Sequence, residues 1–290
     1  ALIENFSGQW LFLRNIERVQ PDPVAFPNFD ENLRFALKEE MRLLIDDMVR
    51  SDASILDLLD ADYTYLNERL AQHYGIEGIY GPEFRRVTLS DERRFGILGK
   101  ASILTVTSYP NRTAPTIRGK WVLEQMLGTP PPPPPPNVPT LVENENTRAL
   151  TMRERMEMHR ANPSCAVCHR IMDPLGFALE NFDGLGRWRD TLAGSNAPID
   201  SSGALPDGTM FSGPAGLREV LMSQDEPFME TFTGRLLTYA LGRGVEEYDG
   251  PVIRQIVRGS KDDDYRWSSV ILEIVRSVPF QMRRASDDRA

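Results

Sequence analysis

Apolar residues recur every three or four positions over most of the chain, the period of an α-helix lying against a core. The clearest run follows Asp30: Leu33, Leu37, Met41, Leu44 and Met48 share one face, and Asp30 or Asn32 supplies an amino-terminal cap. On this pattern Glu39-Glu40 and Asp46-Asp47 read as the solvated face of the same helix. Residues 51–59 and 61–74 continue as helical pieces, ending near Gly75. Residues 81–90 are short and mixed, which fits a brief strand. In residues 95–109 the run Ile103, Thr105, Val106 and Thr107 fits either a strand or the end of a buried helix. Helices are predicted over 117–127 and 152–160, the second ended by Pro163, and a short one over 177–182. Residues 191–213, rich in Gly, Ser, Asp and Pro, read as a loop and a boundary. Helices then return over 215–222, from Pro227 to Gly242 or Gly244, and over 252–258 and 265–278, with Asp262 to Asp264 as a cap before Tyr265 and Pro279 as a stop.

Composition narrows the setting. The net charge of −9 argues against nucleic acid or an anionic membrane as the main partner. No stretch approaches the roughly 18 apolar residues needed to span a bilayer. The first ten residues lack the basic and apolar regions of a signal peptide, and the chain begins without Met, as expected of a processed or partial piece of a longer protein. Pro130 to Pro136 are consecutive prolines, a polyproline II segment that reads as a stiff spacer or as a ligand for an aromatic groove. Asn111-Arg112-Thr113 fits a glycosylation acceptor and is read as incidental.

The chemistry lies in Cys165-Ala-Val-Cys168-His169, which holds both cysteines of the chain. Thiols three positions apart on a helical turn reach the two vinyl groups along one porphyrin edge, and the next residue carries its imidazole over the ring to the iron. This is the c-type haem attachment signature, with His169 as proximal ligand. Two rivals use the same residues. A thioredoxin-like dithiol wants a βαβ context, whereas the flanks here are helix, proline and loop. A zinc site needs two further ligands. The only other histidines are His73 and His159, without the usual spacing.

The flanks carry a resemblance. Residues 153–169, followed by Met172-Asp173-Pro174-Leu-Gly176, Glu180-Asn-Phe182-Asp183 and Gly186-Arg187-Trp188-Arg189, resemble the planctomycete-type cytochrome proteins built from the domains of unknown function 1592, 1588 and 1585. Residues 58–69 look like the end of the first. Gly96-Ile-Leu-Gly99, residues 105–112 and the proline run look like the second. Leu205-Pro-Asp-Gly208, Gly213-Pro-Ala-Gly216 and residues 237–244 look like the third. The resemblance implies a mainly α protein in three parts. A helical domain over 1–93 precedes a small cytochrome c-like haem unit over 94–195, which includes the proline strut 130–139, and a helical domain over 196–290 follows. Such proteins usually carry more sequence upstream.

The sixth iron ligand decides between carrier and catalyst. His159, six residues before Cys165 on a helix ended by Pro163, is the first candidate, and Met210 in Asp207-Gly-Thr-Met210-Phe is the alternative. Met156 and Met158 read as core, Met172 stays on the proximal side, and His73 reads as a cap or surface residue near Gly75. Arg160, Arg187 and Arg189 are candidates to pair with the propionates. Pro174, Phe177, Trp188 and Asp183 are candidates to pack or hold the proximal segment. The leading expectation is electron transfer through one covalent haem c, in the periplasm or outside the cell, to a redox partner protein. A larger assembly with the missing amino-terminal portion or another subunit is implied. The alternatives are a peroxidase- or oxidase-like haem enzyme, the electron outlet of a dehydrogenase, and a structural subunit of an extracellular assembly.

Overall fold

A computed structural model describes residues 2–133, 151–192 and 197–282. The protein is mainly helical, with two small two-stranded antiparallel sheets among the described residues. Helix α1 (Glu31–Arg50) is the central element. The Asp30 carboxylate accepts from the Leu33 amide at 2.6 Å, which supplies the expected cap. Its buried face divides between two clusters. Leu33, Ala36 and Leu37 meet Leu66, Leu70 and Ala101, while Met41, Leu44 and Met48 enter the main core.

The reading of 61–74 as one helix is corrected. Tyr63–Leu66 is strand β1, and the helix that follows, α2 (Glu68–Tyr74), starts only after Asn67 caps it at Leu70 and stops at Gly75 with φ of 72°. Strand β2 (Arg85–Thr88), the brief strand expected in 81–90, pairs with β1, Tyr63 opposite Thr88 and Leu66 opposite Arg85. Aromatic and β-branched residues favour the extended form here, and Arg86 lies 3.8 Å over the Tyr63 ring. Most of 51–59 is also not helical: only Asp57–Asp60 makes a turn of helix.

A second correction concerns Glu40, which is fully buried rather than solvated. Tyr74 and Thr64 hydroxyls donate to it at 2.6 and 2.7 Å. Burial raises its pKa, opposed by the Lys100 ammonium, itself buried and pushed down to about 8. Lys100 donates to the Arg94 carbonyl, and Arg94 lies over Tyr74 and donates to Gly186. Partners so distant in the chain leave no local signal.

Residues 95–109 resolve to a buried helix, α3 (Ala101–Val106), and α4 (Pro115–Gln125) follows. The proline run passes outside the described residues from position 134. Helices α5 (Met152–Arg160) and α6 (Pro163–Phe177) come next; residues 178–182 form turns rather than a separate helix. The expected loop 191–213 contains a hairpin, β3 (Ser202–Ala204) with β4 (Met210–Ser212). Helices α7 (Gly213–Ser223), α8 (Asp225–Leu241), α9 (Gly250–Lys261) and α10 (Trp267–Arg276) complete the main elements. Pro279 does not stop the chain's helical path but sits in a final turn, Val278–Gln281. The aspartates before Tyr265 do not cap through their side chains: helix α10 starts after Arg266, and Asp263 instead accepts from the Ser269 hydroxyl.

One core joins the beginning, middle and end of the chain. Phe6 and Trp10 stack at 5.6 Å, and Phe232 stands edge-on to Trp10 at 5.2 Å and to Trp267 at 5.3 Å. The Trp10 indole donates to the Gln125 carbonyl, tying this aromatic group to α4.

Candidate functional site

Helix α6 carries the Cys-x-x-Cys-His motif. Asn162 caps it, accepting from the Ser164 amide at 3.0 Å, and Pro163 takes the first helical position, where its missing N–H costs nothing. Pro163 therefore ends α5 and begins α6. A Thr151–Glu154 capping box opens α5.

The two halves of α6 differ. Ala166 aside, residues 163–171 are exposed or half-buried, whereas Met172, Asp173 and residues 175–177 are buried. The buried half lies against α4 at unusually short range. A Cβ on Gly119 would meet the Met172 carbonyl oxygen at 1.8 Å, and one on Gly176 would meet the Pro115 carbonyl oxygen at 1.8 Å. Glycine at both places lets the two backbones touch. Hairpin β3–β4 closes another side, with Gly203 against Pro174. Arg153 of α5 lies over the Phe177 ring at 4.1 Å and donates to the Asp200 and Ser202 carbonyls.

Beyond the motif, Arg118 is fully buried and donates to the carbonyls of Leu179, Phe182 and Asp183, each at 2.7 Å. Burial lowers its pKa to about 10. Asp183 holds the next turn, accepting from the Leu185 and Arg187 amides. Arg189 is taken up by Glu180 at 2.6 Å, and Trp188 packs edge-on against Phe182 at 5.2 Å. These residues brace the loop that follows α6.

Cys165, Cys168 and His169 occupy successive positions i, i+3 and i+4, so they share one face of α6. Both cysteines are free and half-buried. The His169 Nδ1 lies 3.0 Å from Asp173 Oδ1. A carboxylate accepts, so the contact calls for an N–H donor at Nδ1 and leaves Nε2 as the ring nitrogen that Asp173 does not engage. Asp173 is fully buried; its Oδ1 also accepts from the Thr116 hydroxyl at 3.2 Å, and its Oδ2 has no hydrogen-bond partner among the described residues. Arg160 Nε stands 3.7 Å from that Oδ2.

Of the distal candidates, His159 stands at this site, its ring edge-on to His169 with centroids 4.9 Å apart. Burial and the neighbouring His169 lower its pKa. Met210 lies on β4 and is 71 % exposed. His73 is neither a cap nor at the surface: it is buried, with Nε2 2.7 Å from the Leu185 carbonyl oxygen, and burial lowers its pKa to about 4. Asp173 and Thr116 escaped the pattern of the sequence, although a carboxylate four residues after a histidine on one helix is a readable signal.

The donor set suits a covalently held haem. Two thiols and an imidazole share one helical face, and Asp173 anchors the imidazole at Nδ1. Among the described residues no group of three or more His, Cys, Asp or Glu side chains is placed to hold a bare metal ion.

No curated protein and no solved structure matches the chain significantly. Three family models match successive parts of it. Residues 1–76 match a protein of unknown function (DUF1592), residues 94–192 another (DUF1588), and residues 207–280 a third (DUF1585). The motif and its bracing loop fall in the second. These matches show that the chain carries DUF1592, DUF1588 and DUF1585 in succession, the three domains of the planctomycete-type cytochrome proteins it resembles.

Proposed function

We propose that the protein is an electron carrier with one haem c, bound through thioether links to Cys165 and Cys168 and ligated by His169. The single observation behind this reading is the His169–Asp173 contact on the Cys-x-x-Cys-His helix. It engages Nδ1 and not Nε2, on a residue one position after Cys168. A bound haem supplies one-electron chemistry, while the polypeptide sets its potential and contacts. Helix α6 presents the thiols and imidazole from its exposed half, and α4, Arg118 and the β3–β4 hairpin fix the other half.

His159 is the proposed distal ligand. Its ring stands edge-on to His169 with centroids 4.9 Å apart, so the two imidazoles would be at hand to hold the iron, which would supply the redox chemistry. Covalent attachment places the protein in the periplasm or outside the cell, with a redox protein as partner.

Denaturing mass spectrometry of the full chain, exported with a working haem maturation system, tests the attachment. One haem should be retained after acid denaturation, and none in the Cys165→Ala, Cys168→Ala double variant. Wild-type protein without haem sinks it and revives the dithiol and zinc readings.

A further inference from the structure

We infer that Asp173 is a positioning residue for the iron centre: its buried carboxylate fixes the His169 imidazole and, with Arg160 as its counter-charge, sets a low reduction potential. The inference rests on the haem reading above. It shares the His169–Asp173 contact with that reading and adds the surroundings of Asp173, Thr116 on one oxygen and Arg160 facing the other.

Asp173 has no exposure to solvent, yet its side chain ends in a carboxyl group. Such a group is costly to bury unless it is paired and hydrogen-bonded. Its hydrogen bonds among the described residues are to the His169 imidazole at 3.0 Å and the Thr116 hydroxyl at 3.2 Å. Both use Oδ1. Oδ2 receives no hydrogen bond, and the Arg160 guanidinium faces it from 3.7 Å, beyond hydrogen-bond range. The shortest polar contact of the carboxyl group is therefore the imidazole, with Arg160 at longer range on the other oxygen. Thr116 belongs to α4, so Asp173 also fastens the motif helix to its neighbour.

A carboxylate on the far nitrogen of a ligating histidine orients the ring and makes the ligand more basic. Basicity at Nε2 favours the oxidised iron, which carries one more positive charge than the reduced form. The buried anion favours it by direct Coulomb attraction as well. Both effects lower the potential. Arg160 opposes them, because its positive charge offsets part of the carboxylate. The arrangement predicts opposite shifts: removing the negative charge raises the potential, and removing the positive charge lowers it. A purely structural tether between α4 and α6 predicts no such reversal.

The experiment is a spectroelectrochemical titration of the haem-loaded full chain in wild type, Asp173→Asn and Arg160→Gln, with haem content measured on each. Asp173→Asn is expected to shift the one-electron equilibrium at least tenfold toward the reduced form, about 59 mV upward. Arg160→Gln is expected to move it downward at unchanged haem stoichiometry. Potentials within twofold of wild type in both variants, or shifts in the same direction, overturn the inference while leaving the haem reading intact. If Asp173→Asn does not fold, Arg160→Gln decides alone: a lower potential supports the assignment and an unchanged one overturns it. Wild-type protein that carries no haem fails at the earlier step, and both readings fall together.

Discussion

Alanine at position 176 sets a methyl carbon 1.8 Å from the Pro115 carbonyl oxygen and 2.5 Å from its carbonyl carbon. Both are main-chain atoms in the first turn of α4, so no rotamer change relieves the contact. Ordinary contact begins near 3.4 Å, and the two helices must part by well over an ångström to reach it. Parting them loosens Leu175 and Leu179, both buried in the main core. Full burial of such a side chain is worth about 1.5–3 kcal/mol, and overpacking alone costs about 1–3 kcal/mol where the surroundings can adjust. Against this stands the better helix propensity of alanine, about 1 kcal/mol. The net expectation for Gly176→Ala is a loss of about 3 kcal/mol, read as a lower urea midpoint at an unchanged slope. Gly244→Ala is the control, since nothing lies within 4 Å of its Cβ. A Gly176→Ala protein as stable as wild type would refute the close approach of α4 and α6, and with it the account of how the motif helix is held.

Three other outcomes follow from the same contacts. His73 has a folded pKa of about 4, below its ordinary 6.5, so the unfolded chain takes up its proton first as pH falls. Stability is therefore full at pH 7 and declines from about pH 6.5 to about pH 4, by about 3 kcal/mol over the window. His73→Gln should flatten that decline in urea melts; a parallel decline in both proteins rejects the assignment. Arg118→Met strands three carbonyls that each receive a 2.7 Å hydrogen bond, and should cost more than about 3 kcal/mol. A loss below about 1 kcal/mol in chemical denaturation counts against that role. If His159 is the distal ligand, the reduced wild type resists carbon monoxide and His159→Ala binds it. Equal binding by both would transfer the role to Met210 or leave the position open for catalysis.

The parts of the fold legible in the sequence are those written in local spacing. The α1 face from Leu33 to Met48, its Asp30 cap, and the break at Pro163 depend on neighbours within a few residues, and the structure has all three. Strand β1 was hidden because four residues are too few to reveal a period, and the helical pattern around them prevailed. Glu40 was misread because its partners Thr64, Tyr74 and Lys100 lie far along the chain. At the site, the motif itself was plain. Asp173 stood in view at i+4 from His169, yet its burial depends on α4, and Gly119 and Gly176 make sense only once two backbones are seen in contact.

A pyridine haemochrome spectrum of the exported full chain decides whether haem is held covalently by Cys165 and Cys168. The expected result is a c-type spectrum with one haem per chain, abolished when both cysteines are replaced by alanine. A chain that matures beside functional cytochromes yet shows no haem, or one whose haem is extracted by acidified solvent, would contradict it.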